Sequence, residues 1–591
     1  MPGAYDIELD GVGLMLVAGS YQRMQEPLAE GRLDRVRIVD FYGGSGRALQ
    51  QERDRFWASV GAMPALDSQG VSAGPKRQDR QLTVSPAFDP AKRTWAFVTT
   101  TGAWVVNGAN IYEVSTSGGL FANLVHRRSL AAVALDAVMA GQYLYVAFGA
   151  AATVGRYDTV ANSYVSDAFS GLRATLLGVN EVNVVLVDAT AGQERTVKQV
   201  TGGASSVTLD YPVLRLFQYD GDLWALTNGS LWRLGTASNG AVEATLEANL
   251  PLTAYGDDGA WAVAYQDGLY LWRSGRVMRY RRKDGVGLLE PAGPDGQTSS
   301  GACVVGGWLL CEVRNRWTGV SELWGYDGRG WWQLEDGVGA GPWQWPVSIA
   351  GRAADAEVLA GRGGSSNRVS VWQVVPKPGL PGLRESWWLA TSLLDAGERD
   401  RPKLWRGMGC ELAWPDERAS SGTVYVKLEY SADGGATWAQ AGGEFAFDPG
   451  LYGRRGSMAV EISPPVRGRY LQVRVSVRNV STWCPVLVGV WAEYELVQVG
   501  ASRKKWRMTV QCRDGQVLRD GGVHPLGGWE QARAVWQAYE GEGAVTFKDI
   551  DYDLTGVVER VRVVGVREVL GKGEPRDGYG ERQVEVTLVE V

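Results

Sequence analysis

Histidine is almost absent from this chain of 591 residues, which carries only His126 and His524. They stand far apart in sequence, and a histidine-based metal centre or triad needs convergent ligands, so both read as structural. Cysteine is equally sparse. The five residues Cys303, Cys311, Cys410, Cys484 and Cys512 form an odd, scattered set, which is no disulfide framework and implies free, buried thiols in a protein assembled in a reducing cytoplasm. Cys303 and Cys311 remain open as a pair on neighbouring strands. No apolar run approaches the ~20 residues that span a bilayer, and the first residues lack the basic and apolar regions of a secretory signal. Nor is there a cationic surplus: 60 Lys and Arg against 66 Asp and Glu give a net charge of -6, which argues against a nucleic-acid partner.

Catalytic signatures are missing as well. Gly43-Gly44-Ser45-Gly46 has no Gly-Lys-Ser/Thr after it and no helix pattern, so it reads as a turn and not a phosphate loop. Asp549-Ile550-Asp551-Tyr552-Asp553 lacks the glycine turn and closing glutamate of a calcium loop. No catalytic, cofactor-binding or metal-binding residue is assigned, and the chain is read as a non-enzyme. Sequence spacing leaves open glycosidase carboxylates gathered from separate loops.

What the sequence has in abundance is glycine, 78 residues, and tryptophan, 25 residues, the composition of an ordered, turn-rich β protein. Between Trp95 and Trp372 one phrase recurs: a glycine, an aromatic and β-branched strand, a polar turn and a second aromatic strand. Its clearest copies are Gly102 to Tyr112, Gly221 to Trp232 and Gly268 to Met278, each a hairpin with Asn-Gly or Ser-Gly at the turn and a two-residue alternation. Anchors at 102, 141, 181, 221, 268 and 307 lie 39, 40, 40, 47 and 39 residues apart. That is the period of a four-stranded propeller blade. The repeat implies about seven blades over 86–376, with six or eight as neighbouring counts and a run of unrelated sandwich hairpins as the alternative.

The flanks divide further. Residues 1–85 form an arm with a hairpin at Tyr5 to Val17, to be ordered by a neighbouring subunit or to supply a strand to the closing blade. Residues 377–383 are a Pro/Gly linker. Residues 384–500 alternate cleanly as an antiparallel β-sandwich. Within it, Ser431-Ala432-Asp433-Gly434-Gly435-Ala436-Thr437-Trp438 fits an Asp-box turn, in which Asp433 holds backbone amides, the glycines take positive φ and Trp438 folds back. A single copy outside the repeat reads as structural. Residues 501–591 form a β domain with one amphipathic helix, whose apolar face is Trp529, Ala532, Val535, Trp536 and Tyr539. The tryptophans at 331, 332, 343 and 345 are the candidate ligand or partner contacts, able to stack on sugar rings if exposed and otherwise packed between blades.

Three places carry a resemblance: Tyr5 to Val17 with Phe41-Tyr42-Gly43-Gly44; Thr391 to Gly397 with Lys403-Leu404-Trp405; and Trp506 to Val510 with Trp536 and Val545-Thr546-Phe547. Together they resemble minor tail or tail-tip proteins of tailed bacteriophages. The resemblance implies a tail-tube-like C-terminal domain that docks onto the tail, other tail proteins and further copies of the chain as partners, and assembly in the host cytoplasm into a virion. It also implies a propeller displayed to other subunits or to a host-surface glycan or protein. A glycan-binding or glycan-hydrolysing propeller is the alternative. No cofactor is implied.

Overall fold

The computed structural model describes residues 4–27, 33–41, 43–45, 55–65, 70–99, 102–117, 120–181, 183–250, 261–282, 288–337, 343–349, 357–362, 366–374, 383–397, 399, 401–414, 423–448, 455–480, 484–496, 502–541, 543–549, 558–570 and 582–590. These residues build a mainly β protein of three domains: a seven-bladed propeller, a two-sheet sandwich and a barrel carrying one helix.

The recurring glycine phrase marks a turn inside each blade. Blades 1 to 6 span 94–129, 136–165, 174–208, 213–249, 262–295 and 302–335, each with four antiparallel strands in chain order. In blades 2 to 6 the first and second strands meet in two-residue hairpins, closed by the pairs Ala140 with Tyr143, Asn180 with Asn183, Tyr219 with Asp222, Tyr265 with Gly268 and Val305 with Trp308. Every one of these loops opens on a residue at positive φ, from Gln266 at 49° to Gly141 at 60°, the geometry that matches the right-handed twist of the strands. Turn chemistry therefore generates the ~40-residue period.

The second strands depart from the expected alternation. Ala103–Asn107 and Gly268–Arg273 are buried at every residue, because each blade is covered on both faces by its neighbours. A strand buried on both faces becomes a continuous apolar run such as Leu223-Trp224-Ala225-Leu226. Asn228-Gly229 also differs from expectation. Gly229 is not at positive φ; a Cβ there would lie 2.3 Å from the Tyr211 ring, so close packing requires the glycine.

Blade 7 closes the ring with strands from both sides of the repeat. Trp343–Ser348, Glu357–Arg362 and Arg368–Gln373 are joined at the outer edge by Arg77–Gln81, in register from Arg77 opposite Trp372 to Gln81 opposite Arg368. Ion pairs reinforce the seam: Arg362 meets Asp79 at 2.6 Å, and Asp79 also accepts the Ser370 hydroxyl at 2.6 Å.

The sandwich likewise draws on both flanks. One sheet contains Val424–Ser431, Gln472–Arg478, Ser386–Ala390 and Ala58–Val60; the other contains Arg455–Gly468, Lys403–Ala413, Val486–Leu496, Val71–Ala73, Ala62–Pro64 and Asp34–Ile38. Its core continues into the propeller. Trp308, Leu310, Trp332 and Leu334 of blade 6 and Val358 and Trp372 of blade 7 share one buried cluster with Phe56, Trp387, Leu389, Trp405 and Val475.

The barrel closes on itself. Val12–Leu16, Ile7–Leu9, Val545–Asp549, Val558–Leu570, Arg582–Glu590 and Ser502–Cys512 pair in turn, and the last pairs back to the first through Leu16 and Val510. Gln22–Pro27 extends the same edge. Helix Gly528–Glu540 starts where the Asp514 carboxylate accepts the Gly528 amide at 2.7 Å. Gln531, Ala532, Val535 and Ala538 are buried, whereas Trp529 is 52% exposed, so the packed face is rotated from the one expected.

The arm assigned to 1–85 is thus not a separate unit. Its strands are distributed over the barrel, the sandwich, blade 6 through Gly44–Ser45 and Arg55–Phe56, and blade 7. Gln22–Pro27 and Arg77–Gln81 are polar strands whose partners lie hundreds of residues away, so neither gave a sequence signal. Of the linker 377–383 only Leu383 is described; it bridges Pro75. The chain is nested: the propeller is inserted into the sandwich, and the sandwich into the barrel.

Candidate functional site

Trp331 and Trp332 do not form a surface site. Trp331 is 6% exposed, stacks on Tyr326 at 5.0 Å and belongs to the core between blades 5 and 6. Trp332 is fully buried against Phe56 at 5.1 Å in the core shared with the sandwich. Consecutive strand residues point to opposite faces, and both faces of this blade are covered, which is why neither ring can stack on a ligand. The side chains of Trp343 and Trp345 lie outside the described residues.

The Asp-box is built as a turn. Asp433 accepts the Ser431 hydroxyl at 2.7 Å, the Thr437 amide at 3.0 Å and the Thr437 hydroxyl at 2.5 Å, while Trp438 Nε1 donates to the Gly435 carbonyl at 3.1 Å. Gly434 and Gly435 take φ of 74° and 88°. The Thr437 and Ser431 hydrogen bonds pull the Asp433 carboxyl down to about 2. Both carboxylate oxygens are engaged in holding the loop, which is a structural task.

Both histidines are pins. His524 is buried; its Nδ1 accepts the Leu526 amide at 3.0 Å, so its Nε2 carries the proton donated to the Gly13 carbonyl at 2.7 Å. It ties the N-terminal hairpin to the loop before the helix. His126 lies 3.3 Å from the Ser129 hydroxyl. All five thiols are free. Cys303 faces Leu310 across the ladder and Cys311 faces Ala302, so the two sulfurs lie on opposite faces of blade 6 and cannot bridge. Among the described residues no group of three or more His, Cys, Asp or Glu could hold a metal ion, and Asp549 is the sole described member of the run 549–553.

One concavity with converging polar groups is the propeller channel. All seven inner strands line a cavity of 410 Å³. Arg93, Asp136 and Arg215 lie at the end where the chain enters each blade, and Phe97, Met139 and Phe217 lie further along the same strands. Asp136 accepts Trp95 Nε1 at 3.1 Å on one oxygen and the Leu177 amide at 2.9 Å on the other. The Arg93 guanidinium lies over the Trp95 ring, 4.8 Å from its centre. Desolvation, then the Arg93 charge, push Arg215 down to about 9 against the pull of Asp136; desolvation lowers Arg93 too. This site had no signal in the sequence, because its charges sit on three blades whose spacing carries no motif.

No protein-family profile matches the chain, and no curated protein matches it. Solved structures with some similarity include two of the extracellular domain of BT4673 from B. thetaiotaomicron. One is 11% identical, with a TM-score of 0.36, over 80% of this chain and 62% of that one; the other is 10% identical, with a TM-score of 0.37, over 82% and 63%. PorZ, a surface component of the type-IX secretion system of Porphyromonas gingivalis, is 13% identical with a TM-score of 0.31, over 62% of this chain and 46% of PorZ. The matched region of this chain spans less than two thirds of the length of each.

Proposed function

We propose that this chain is a non-enzymatic structural component of a bacteriophage tail or tail tip, with the barrel docking onto the tail and the propeller displayed for contact with other subunits or the host surface. The observation that carries this reading is the closed barrel with one helix, made from both ends of the chain, in which the other two domains are nested. Such connectivity puts an attachment module at one end of the architecture and an insertable head at the other. It agrees with the sequence resemblance of the terminal segments to tail proteins. A surface suited to docking is the hairpin before the helix, where Val517 and Val523 pair across a bridge while 62% and 63% exposed; paired apolar side chains left in water favour coverage by a neighbour.

Immunogold labelling of purified virions decides the matter. Label confined to the tail or its tip is the expected result, and particles devoid of label sink the reading. A glycan reading resting on Trp331 and Trp332 finds no accessible ring there, since both are buried.

A further inference from the structure

We propose that the cleft between blade 6 and the outer face of the sandwich binds a neutral pyranose sugar, stacked on Trp388. The cleft has a volume of 320 Å³, at the small end of the roughly 300 to 1,000 Å³ of ordinary ligand sites, which suits a mono- or disaccharide. The sandwich supplies Trp388, Lys427, Ser476 and Arg478 to its wall, and Asp336, directly after the last strand of blade 6, closes it together with Arg384.

The sheet register builds this face. Lys427, Ser476 and Trp388 lie in one row across three strands, and directly paired residues point to the same side. Their neighbours in the chain, Val426, Val477 and Trp387, fill the core, so the row itself faces outward. Arg478 and Ser386 form the next row towards the cleft. Arg474 lies on the other side of Trp388, its guanidinium 5.8 Å from the centre of that ring and 4.5 Å from the centre of Trp438, and it is no part of the described cleft wall. One flank of the indole is thus held by Arg474 while the other meets the cleft.

Charge decides the class of ligand. Every cation in the described wall already sits on a carboxylate: Arg384 on Glu335 at 2.8 Å, Lys427 on Glu429 at 2.8 Å, and Arg478 on Glu444, whose oxygens accept Nε at 2.7 Å and Nη2. An anion would have to displace one of these partners, whereas a neutral polyol adds to them. A hydroxyl donates and accepts at once, and an ion pair offers it both kinds of partner. Arg478 also lies over the Tyr425 ring, 4.3 Å from its centre, so its fork is fixed before a ligand arrives. A pyranose joins hydroxyls at its rim to an apolar face of C–H groups, and an aromatic ring set among polar groups matches both. The site does not rest on the placement of the chain in a tail, so its failure leaves the labelling experiment untouched.

The test is saturation-transfer NMR on the full chain with the methyl glycosides of β-glucose, β-galactose, α-mannose and N-acetyl-β-glucosamine, alongside mannitol and methyl β-glucuronate. At least one neutral glycoside should bind, with the strongest saturation on its ring C–H protons; mannitol has the hydroxyls without the apolar face and should not bind, and the glucuronate should bind no tighter than the best neutral glycoside. W388A should weaken binding at least 10-fold, W388F less, and E444Q at least 3-fold, all with unchanged circular dichroism spectra, while W317A, which removes an indole 86% exposed elsewhere on blade 6, should leave it intact. W388F and E444Q supply the reading if W388A fails to fold. Absence of binding of all four glycosides to folded wild type overturns the site, as does unchanged binding in a folded Trp388 variant or in E444Q. Mannitol binding as tightly as the glycosides overturns the stacking, and tighter binding of the glucuronate overturns the assignment of a neutral sugar.

Discussion

Replacing Trp332 by alanine should uncouple the propeller from the sandwich. The indole is fully buried in the cluster that joins blade 6 to the sandwich, against Phe56. A tryptophan side chain removes about 200 Å² from water, worth roughly 5 kcal/mol at ~25 cal/mol per Å². A compact denatured state lowers that to about 3–5 kcal/mol, the range of large-to-small core substitutions. For a cooperative unit of roughly 400 residues with about 2 cal/mol/K of unfolding entropy per residue, ~4 kcal/mol shifts the midpoint by about 5 °C. Differential scanning calorimetry should show one shared propeller and sandwich transition in the wild type, and in W332A a lower midpoint with the two domains separating. W332F supplies the control. Its ring keeps most of the packing, and the indole N–H that finds no acceptor among the described residues is removed, which offsets part of the lost contact; about 1–2 kcal/mol is expected. If W332A melts like wild type, or W332F is as damaged as W332A, the shared core is not what joins the domains.

Three further outcomes follow from the fold. Asp433 is held below the usual carboxylate range, at about 2, by hydrogen bonds to Thr437 and Ser431; the ionised form stabilises the turn above pH ~4, and that contribution is lost as pH falls through about 2. Protection of the Thr437 amide against hydrogen exchange, relative to its intrinsic rate at each pH, should therefore be lost as pH falls across that window in wild type and be absent at all pH values in D433A, and a flat wild-type protection profile refutes the assignment. Deleting residues 1–27 removes three strands of the barrel and uncovers Trp506, Met508 and Phe547, so the truncated chain should bind a hydrophobic dye and lose the barrel's calorimetric transition, whereas a wild-type thermogram contradicts closure by the N-terminal strands. Burial raises the thiols of Cys410, Cys484 and Cys512 to about 12 and that of Cys311 further; a chromogenic disulfide reagent at pH 8 should leave these four unmodified in native protein and titrate all five cysteines in denaturant, and prompt native labelling of more than one thiol would count against the packing.

The propeller was legible because its turns are local. A two-residue hairpin with its first residue at positive φ, repeated at Gly141, Glu181, Asp220, Gln266 and Gly306, writes itself into the sequence every ~40 residues. Strands whose partners are remote write nothing comparable. Arg77–Gln81 reads as a polar stretch, yet it closes blade 7 against a strand almost three hundred residues downstream. Trp331 and Trp332 were ambiguous for a related reason: an adjacent pair signals a strand buried on both faces as readily as an exposed aromatic platform, and the covering layers decide. Asp433 was readable, since all of its partners lie within four residues. Arg93, Asp136 and Arg215 were not, because a channel is a property of the closed ring.

Nesting has a mechanical consequence that a chain of beads would lack. The propeller enters through Arg77–Gln81 and leaves through Arg368–Gln373, which are paired strands, and Pro75 bridges Leu383 immediately outside them. The sandwich is similarly flanked by barrel strands, Gln22–Pro27 before it and Ser502–Cys512 after it, and these pair with each other from Gln22 with Arg507 to Pro27 with Ser502. Each domain thus meets the next through two adjacent covalent crossings instead of one. A single crossing permits swivelling about one linker; two crossings clamped by a backbone ladder oppose it, and at the propeller the buried cluster around Trp332 opposes it further. Force applied to the propeller must therefore load ladder hydrogen bonds and a packed core together before it reaches the barrel. For the displayed head proposed above, that is how a mainly β chain can hold its orientation.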